Sequence, residues 1–198
     1  MNQTLTLAHG APIDAIGAAN DPVPRGLFEF LDEEHTELAQ QVSIMRLLAQ
    51  AMETDGVHSD TWRRFNLVLH WFNDTARQHH IEEEKAVFPA FLSCMDANVV
   101  ATTQRMLEDH RVLERQVAQM LSMLAKLEGE PDGVNIHALC ETVRSFEQNL
   151  LRHMVVEDVL IYPTARNHLS IQELESFAAD LSQMRTLREA GLSTKSAE

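Results

Sequence analysis

Apolar positions recur at helical spacing in four long stretches of the chain, separated by a few marked breaks. In the first, Leu27, Phe30, Leu31, Leu38, Val42, Met45 and Leu48 predict a helix from about Pro24 to about Glu53. Pro24 suits a first helical position, and Asp55-Gly56 is the stop. The second helix takes Ser59 or Asp60 as its cap and runs through Trp62, Phe65, Val68, Leu69 and Phe72 to about Phe88, where Pro89 ends it or begins its end. The third starts near Asp96 to Asn98 and runs to Leu127, before the break at Gly129-Glu-Pro-Asp-Gly133. The fourth runs from about Asn135 to Tyr162, before Pro163. Ser170-x-x-Glu173 reads as a capping box for a shorter fifth helix to about Ala190, with a frayed tail from Ser193. Short connections make successive helices antiparallel neighbours. The expected fold is all-α: an up-down-up-down four-helix bundle over residues 24–169, a flexible lead-in over 1–23, and a C-terminal helix and tail over 170–198.

The chain also repeats itself. Leu31-Asp-Glu-Glu-His35-Thr-Glu-Leu-Ala-Gln-Gln-Val42 lies over Met106-Leu-Glu-Asp-His110-Arg-Val-Leu-Glu-Arg-Gln-Val117, an offset of 75 residues. His79-His-Ile-Glu-Glu83-Glu-Lys-Ala-Val-Phe-Pro89 lies over His153-Met-Val-Val-Glu157-Asp-Val-Leu-Ile-Tyr-Pro163, an offset of 74. Two pseudo-symmetric helical hairpins account for this. The repeat selects among neighbours: His79 is matched by His153 and Glu83 by Glu157, whereas His80 is matched by Met154. Glu84 is matched by Asp158 and could support the ligands from behind, while Glu114 faces only Ala39 and is set aside. His79 and Glu83 share a helix face at i and i+4, as do His153 and Glu157. Each of the four histidines stands ten to twelve residues from its helix end, so all reach one level, about 15–18 Å into the bundle.

Composition narrows the chemistry. A formal charge of −14 repels nucleic-acid backbones and anionic membranes. Two widely spaced cysteines, Cys94 and Cys140, exclude a disulfide framework and suit a reducing cytoplasm; both read as small buried apolar residues. No apolar run reaches membrane-spanning length, and the first residues lack the pattern of a signal peptide. Ten histidines among so many carboxylates remain to be explained.

Four imidazoles and two carboxylates converging in a bundle core would each cost several kcal/mol unpaired, roughly, and a metal pair removes that cost. Such donors suit iron, zinc or manganese; the absence of clustered thiolates argues against iron–sulfur clusters. The Glu-x-x-His pairing of ferritin-like proteins is missing, and His-x-x-x-Glu stands in its place. The pattern His…His-x-x-x-Glu…His…His-x-x-x-Glu, with Phe-Pro or Tyr-Pro closing each hairpin, resembles the hemerythrin-like (HHE cation-binding) family from Pro24 to Pro163. The ligand spacing is similar to that of the di-iron domain of iron-sulfur cluster repair proteins, although the cysteine-bearing N-terminal domain of that subfamily is absent here. The resemblance implies His35, His79, Glu83, His110, His153 and Glu157 as ligands of two oxo- or hydroxo-bridged iron ions. Two six-coordinate irons so bound keep two positions for O2, NO or peroxide. The functions in play are a gas- or peroxide-binding or sensing protein, a di-iron enzyme or iron donor in nitrosative or oxidative stress, and a metal store.

The remaining histidines have plainer readings. His80 is expected to be solvated or to stand behind the ligands; His58, His70, His137 and His168 take surface or capping roles, and His9 lies in the lead-in. Tyr162, matched by Phe88, packs in the core or forms a wall of the site.

Overall fold

The computed structural model describes residues 26–93, 95–129 and 135–195. The expected lead-in, Pro24, Cys94 and the end of the tail lie outside the described residues. Among those described there is no strand. The elements in chain order are α1 (Leu27–Asp55), α2 (Ser59–Trp71), a π-helical turn (Phe72–Ala76), α3 (Arg77–Ala86), α4 (Phe88–Leu92), α5 (Ala97–Gly129), α6 (Ile136–Val156), a second π-helical turn (Glu157–Ile161), α7 (Tyr162–His168) and α8 (Ile171–Lys195).

Local chemistry sets most of the ends. At the start of α1 the Gly26 amide donates to Glu29 Oε2 at 3.1 Å. Past its end Gly56 takes φ 88°, a conformation open to glycine and strained for other residues. Asn135 caps α6 by accepting from the Ala138 amide. Ser170 and Glu173 form the expected capping box: the Ser170 amide donates to Glu173 Oε2 at 2.8 Å, and the Glu173 amide to Ser170 Oγ at 3.3 Å.

Two expectations are corrected. Pro163 does not end its helix, which runs on through α7 to His168, whereas α3 does end at Ala86, close to the expected place, and Pro89 lies in the first turn of a new segment, α4. Proline has no amide to give, and the first turn of a helix needs none, so the chain restarts there and continues. The C-terminal helix runs past Ala190 to Lys195 because Gly191 weakens a helix by only about 1 kcal/mol and does not break it.

Helix α1 packs on α2 and α6, and α5 packs on α2 and α6, so these four close a ring; α8 lies against α1. The interior is divided into two apolar clusters. One contains Leu38, Val42, Phe65, Phe72, Ala76, Leu113, Phe146 and Leu150. The other contains Leu31, Phe28, Val87, Phe88, Met106, Ile161, Tyr162 and, from α8, Ala178. In α1, α3 and α5 the predicted ligands fall where one cluster gives way to the other, and in the α6 arm Glu157 does so between Met154 and Ile161. His35 lies between Leu31 and Leu38, His110 between Met106 and Leu113, and His79 with Glu83 between Ala76 and Val87. A polar layer thus crosses the bundle with apolar packing on both sides, which is the common level expected from the helix ends.

Candidate metal centre

The structure brings all six predicted residues into that layer, every one of them buried. Nε2 of His35 stands 3.1 Å from Nε2 of His79, and Nε2 of His110 stands 3.1 Å from Nε2 of His153. The two pairs are near copies: ring centroids 4.9 Å apart at 67° in one, 4.7 Å at 68° in the other. The glutamates span the pairs. Glu83 Oε2 lies 3.7 Å from His79 Nε2 and 3.3 Å from His110 Nε2. Glu157 lies 2.9 Å from His153 Nε2 through Oε1 and 3.4 Å from His35 Nε2 through Oε2. A three-residue group of His80, His110 and His153 adjoins two four-residue groups, His35, His79, Glu83 and Glu157 on one side and Glu83, His110, His153 and Glu157 on the other. In each, the donor atoms all lie within 4.8 Å of one another. Both glutamates belong to both four-residue groups, the placement of bridging carboxylates.

Outer carboxylates orient the rings. Nδ1 of His35 donates to Asp158 at 2.8 Å, Nδ1 of His79 to Glu34 at 2.8 Å, and Nδ1 of His110 to Glu84 at 2.9 Å. Arg111 braces Glu84 from outside at 2.7 Å. A carboxylate can only accept, so Nδ1 carries the proton in each of these rings and Nε2 is turned inward. Asp158 and Glu84 are repeat mates and do the same work in the two halves. Glu34 was missed from the sequence; its signal was its position beside His35 in the Glu-acid-His motif.

Charge in the layer is balanced by shifted protonation. Burial alone would pull the His35 imidazole down, but its hydrogen bond with Asp158 and the close Glu157 carboxylate outweigh this and carry it to about 10. His110 is likewise lifted against burial by Glu157, Glu83 and Glu84, to about 11. His79 is raised too, with burial opposed chiefly by the Glu83 charge. Burial pushes Glu83 and Glu157 up, but the surrounding imidazoles prevail and both lie below the usual carboxylate range. In each histidine pair one Nε2–H can therefore point at the other ring's lone pair. That proton occupies the place a cation would take. Oxygens of Glu83 and Glu157 remain buried without a hydrogen bond. Inward lone pairs with unsatisfied carboxylate oxygens between them fit two divalent or trivalent metal ions, and imidazole with carboxylate admits iron, zinc or manganese.

The structure corrects the expectation that His80 is solvated: it is 2 % exposed, lies flat on the His110 ring with centroids 3.9 Å apart, and has no hydrogen bond at either ring nitrogen. Glu114 stops 3.8 Å from His80 Nδ1. Tyr162 is both core and wall. Its ring stacks on His35 at 5.4 Å as Phe88 stacks on His110 at 5.4 Å, but its hydroxyl donates to Glu83 and lies 3.1 Å from His35 Nε2. Burial and the nearby carboxylates hold the phenol well above its ordinary pKa, so it stays a donor. Elsewhere His58 and His70 are exposed, and His137 is an exposed partner of Glu53 at 2.6 Å. The side chain of His168 lies outside what the structure describes. Cys140 is buried as expected and donates to the Ala49 carbonyl. Among the described residues no helix is long and apolar enough to cross a membrane.

No curated protein matches the chain. The family profile of the hemerythrin HHE cation-binding domain matches residues 26–165, a span that holds both histidine pairs and both glutamates, and the chain belongs to that family.

Proposed function

We propose that the protein is a non-haem di-iron protein that binds or senses O2, NO or peroxide at a carboxylate-bridged centre. The observation that carries this reading is that both donor groups share Glu83 and Glu157, so two ions can be held side by side rather than one. His35 and His79 would hold one iron, His110 and His153 the other, with the two glutamates between them. The helices bearing these residues would run up-down-up-down as two related hairpins. Iron at such a centre supplies reversible or redox binding of small ligands; the chain's own residues orient the imidazoles, exclude water with two apolar clusters, and keep a phenolic proton on Tyr162 beside Glu83. Iron is preferred over zinc or manganese on family grounds, since the donors accept all three. The strongly acidic chain suits a site in the cytoplasm away from DNA and membranes, with gases or peroxide as partners.

The second reading is an enzyme or iron donor in nitrosative or oxidative stress defence, or a metal store; it shares the same six residues. The deciding measurement is metal content of anaerobically purified protein, with absorption spectra before and after air. About two irons per chain with oxo-bridge bands near the ultraviolet edge support the proposal. Turnover of NO or peroxide by the reduced protein moves it to the enzyme. A folded protein with no iron, or a single zinc, refutes it.

A further inference from the structure

Beside the polar layer, a cavity of about 200 Å³ lies between the Phe72–Ala76 turn, α5 and α6. Its walls are mostly apolar, with Phe72, Ala76, Leu113, Val117, Phe146 and Leu150 all buried, and the half-buried Asn73 and Glu114 add two polar groups. The exposed Arg77 and Ala118 also line it and mark its mouth. None of the six ligand residues lines the cavity, but His80 does. On its other side the His80 ring lies flat on His110, 3.9 Å between centroids at 9°, and edge-on to His153 at 5.9 Å. His80 is thus the partition between the cavity and one half of the centre.

It is also held more loosely than the other rings, its nearest carboxylate, Glu114, standing 3.8 Å from Nδ1. His35, His79 and His110 are each held by a carboxylate at Nδ1. His80 is 2 % exposed and neither ring nitrogen has a hydrogen bond. Its ring can turn without breaking one. On the opposite side of the layer Phe28, Phe88, Ile161 and Tyr162 pack together, and α8 adds Ala178.

We propose that this cavity is the docking pocket and access path for a small uncharged ligand, a diatomic gas or hydrogen peroxide, and that His80 is the gate between it and the His110–His153 side of the centre. The ligand's identity rests on the functional reading above; the capacity of the pocket does not. An apolar cavity of about 150 Å³ accepts xenon or benzene, so this one has room for a diatomic molecule. Its largely apolar walls admit a neutral ligand readily and strip water from an ion, and the Glu114 carboxylate on the same lining repels an anion.

Two experiments separate the pocket from the reading it deepens. In metal-free protein, xenon NMR should show saturable binding that Ala76→Leu, which fills the cavity, abolishes; absence of xenon binding to the unaltered protein would overturn the pocket whatever the metal does. In iron-loaded protein, stopped-flow NO association should slow roughly tenfold in Ala76→Leu and speed up roughly tenfold in His80→Gly, with metal content unchanged in both. Ala118→Trp, at the exposed mouth, serves as a second plug should Ala76→Leu fold poorly by circular dichroism. Unchanged NO association in a folded plug variant and in His80→Gly would overturn the path and the gate. If the loaded protein takes up no NO or peroxide at all, the gas-binding reading fails, and with it the ligand proposed here.

Discussion

Loading the centre with metal must expel protons, and the structure says how many. His35 sits at about 10 and His110 at about 11, each held there by carboxylates that outweigh burial. At pH 7 both are almost wholly imidazolium in the metal-free protein, and each has Nε2 aimed at a partner histidine 3.1 Å away. A metal ion needs those nitrogens as lone pairs. Filling both positions therefore releases two protons, one from each pair, since two facing Nε2 atoms 3.1 Å apart hold one proton between them. Between pH 7 and 9 the overall binding constant for two metals should rise about 100-fold per pH unit, or about 2.7 kcal/mol, since one pK unit is about 1.4 kcal/mol and two protons leave. The assay is isothermal titration of metal-free protein with Mn(II) or Zn(II) at pH 7, in buffers of different ionisation enthalpy. The slope of apparent enthalpy against buffer enthalpy counts the protons. Asp158→Asn removes the largest group raising His35 and should lower the count measured near pH 9. Fewer than one proton released for two metals bound, or affinity flat from pH 7 to 9, would refute the protonated-pair account of the empty layer.

Other outcomes follow from the same geometry. Glu83→Ala or Glu157→Ala should abolish binding of two metals, because each glutamate serves both groups, whereas His80→Ala should keep both ions; full metal content in either glutamate variant, by elemental analysis, would contradict the assignment. Glu84→Gln and Asp158→Asn should weaken metal binding about 10- to 100-fold by loosening the ring each carboxylate orients, and equal affinities in competition with a chelator would count against that role. Tyr162→Phe keeps the stacking on His35 but loses a hydrogen bond to a buried carboxylate, so it should cost about 1.5–3 kcal/mol in denaturant unfolding; an unchanged midpoint would show that the bond contributes nothing. Stability of the metal-free fold should depend on pH with a definite sign. Raised His35 and His110 stabilise fully below about 6.5, and that stability is lost as pH climbs through about 10 to 11; lowered Glu83 and Glu157 stabilise above about 4.5 and lose this as pH falls further. Metal-loaded protein should lack the alkaline loss, which thermal unfolding with and without metal would test.

Much of the molecule was legible because two periodicities reinforce each other. Helical spacing of Leu31, Leu38, Val42 and Met45 places a helix, and the internal repeat then says which polar residues interrupt the apolar face for a reason. The continuation past Pro163 and the short helix that begins at Phe88 were not legible, since a proline reads as a stop unless tertiary packing restarts the helix on its far side. The residues the sequence reading undervalued share one property: they differ between the halves. His80 faces Met154 across the repeat, and Tyr162 faces Phe88. Glu34 is matched by Asp109; Glu34 holds the Nδ1 of His79, while the Nδ1 of His153 has no hydrogen bond. Matching the halves finds the six shared donors because it discards what is unshared, and so it is blind to whatever makes the two metal positions unequal. In this structure the His35–His79 side has a phenol hydroxyl and a full set of orienting carboxylates, and the His110–His153 side has a loosely held imidazole and a cavity. Two equal positions would suffice to store metal. On the path proposed above, a ligand would arrive at one metal position rather than at both, and the residues that carry that inequality, His80, Tyr162 and Glu34, stand where the repeat breaks.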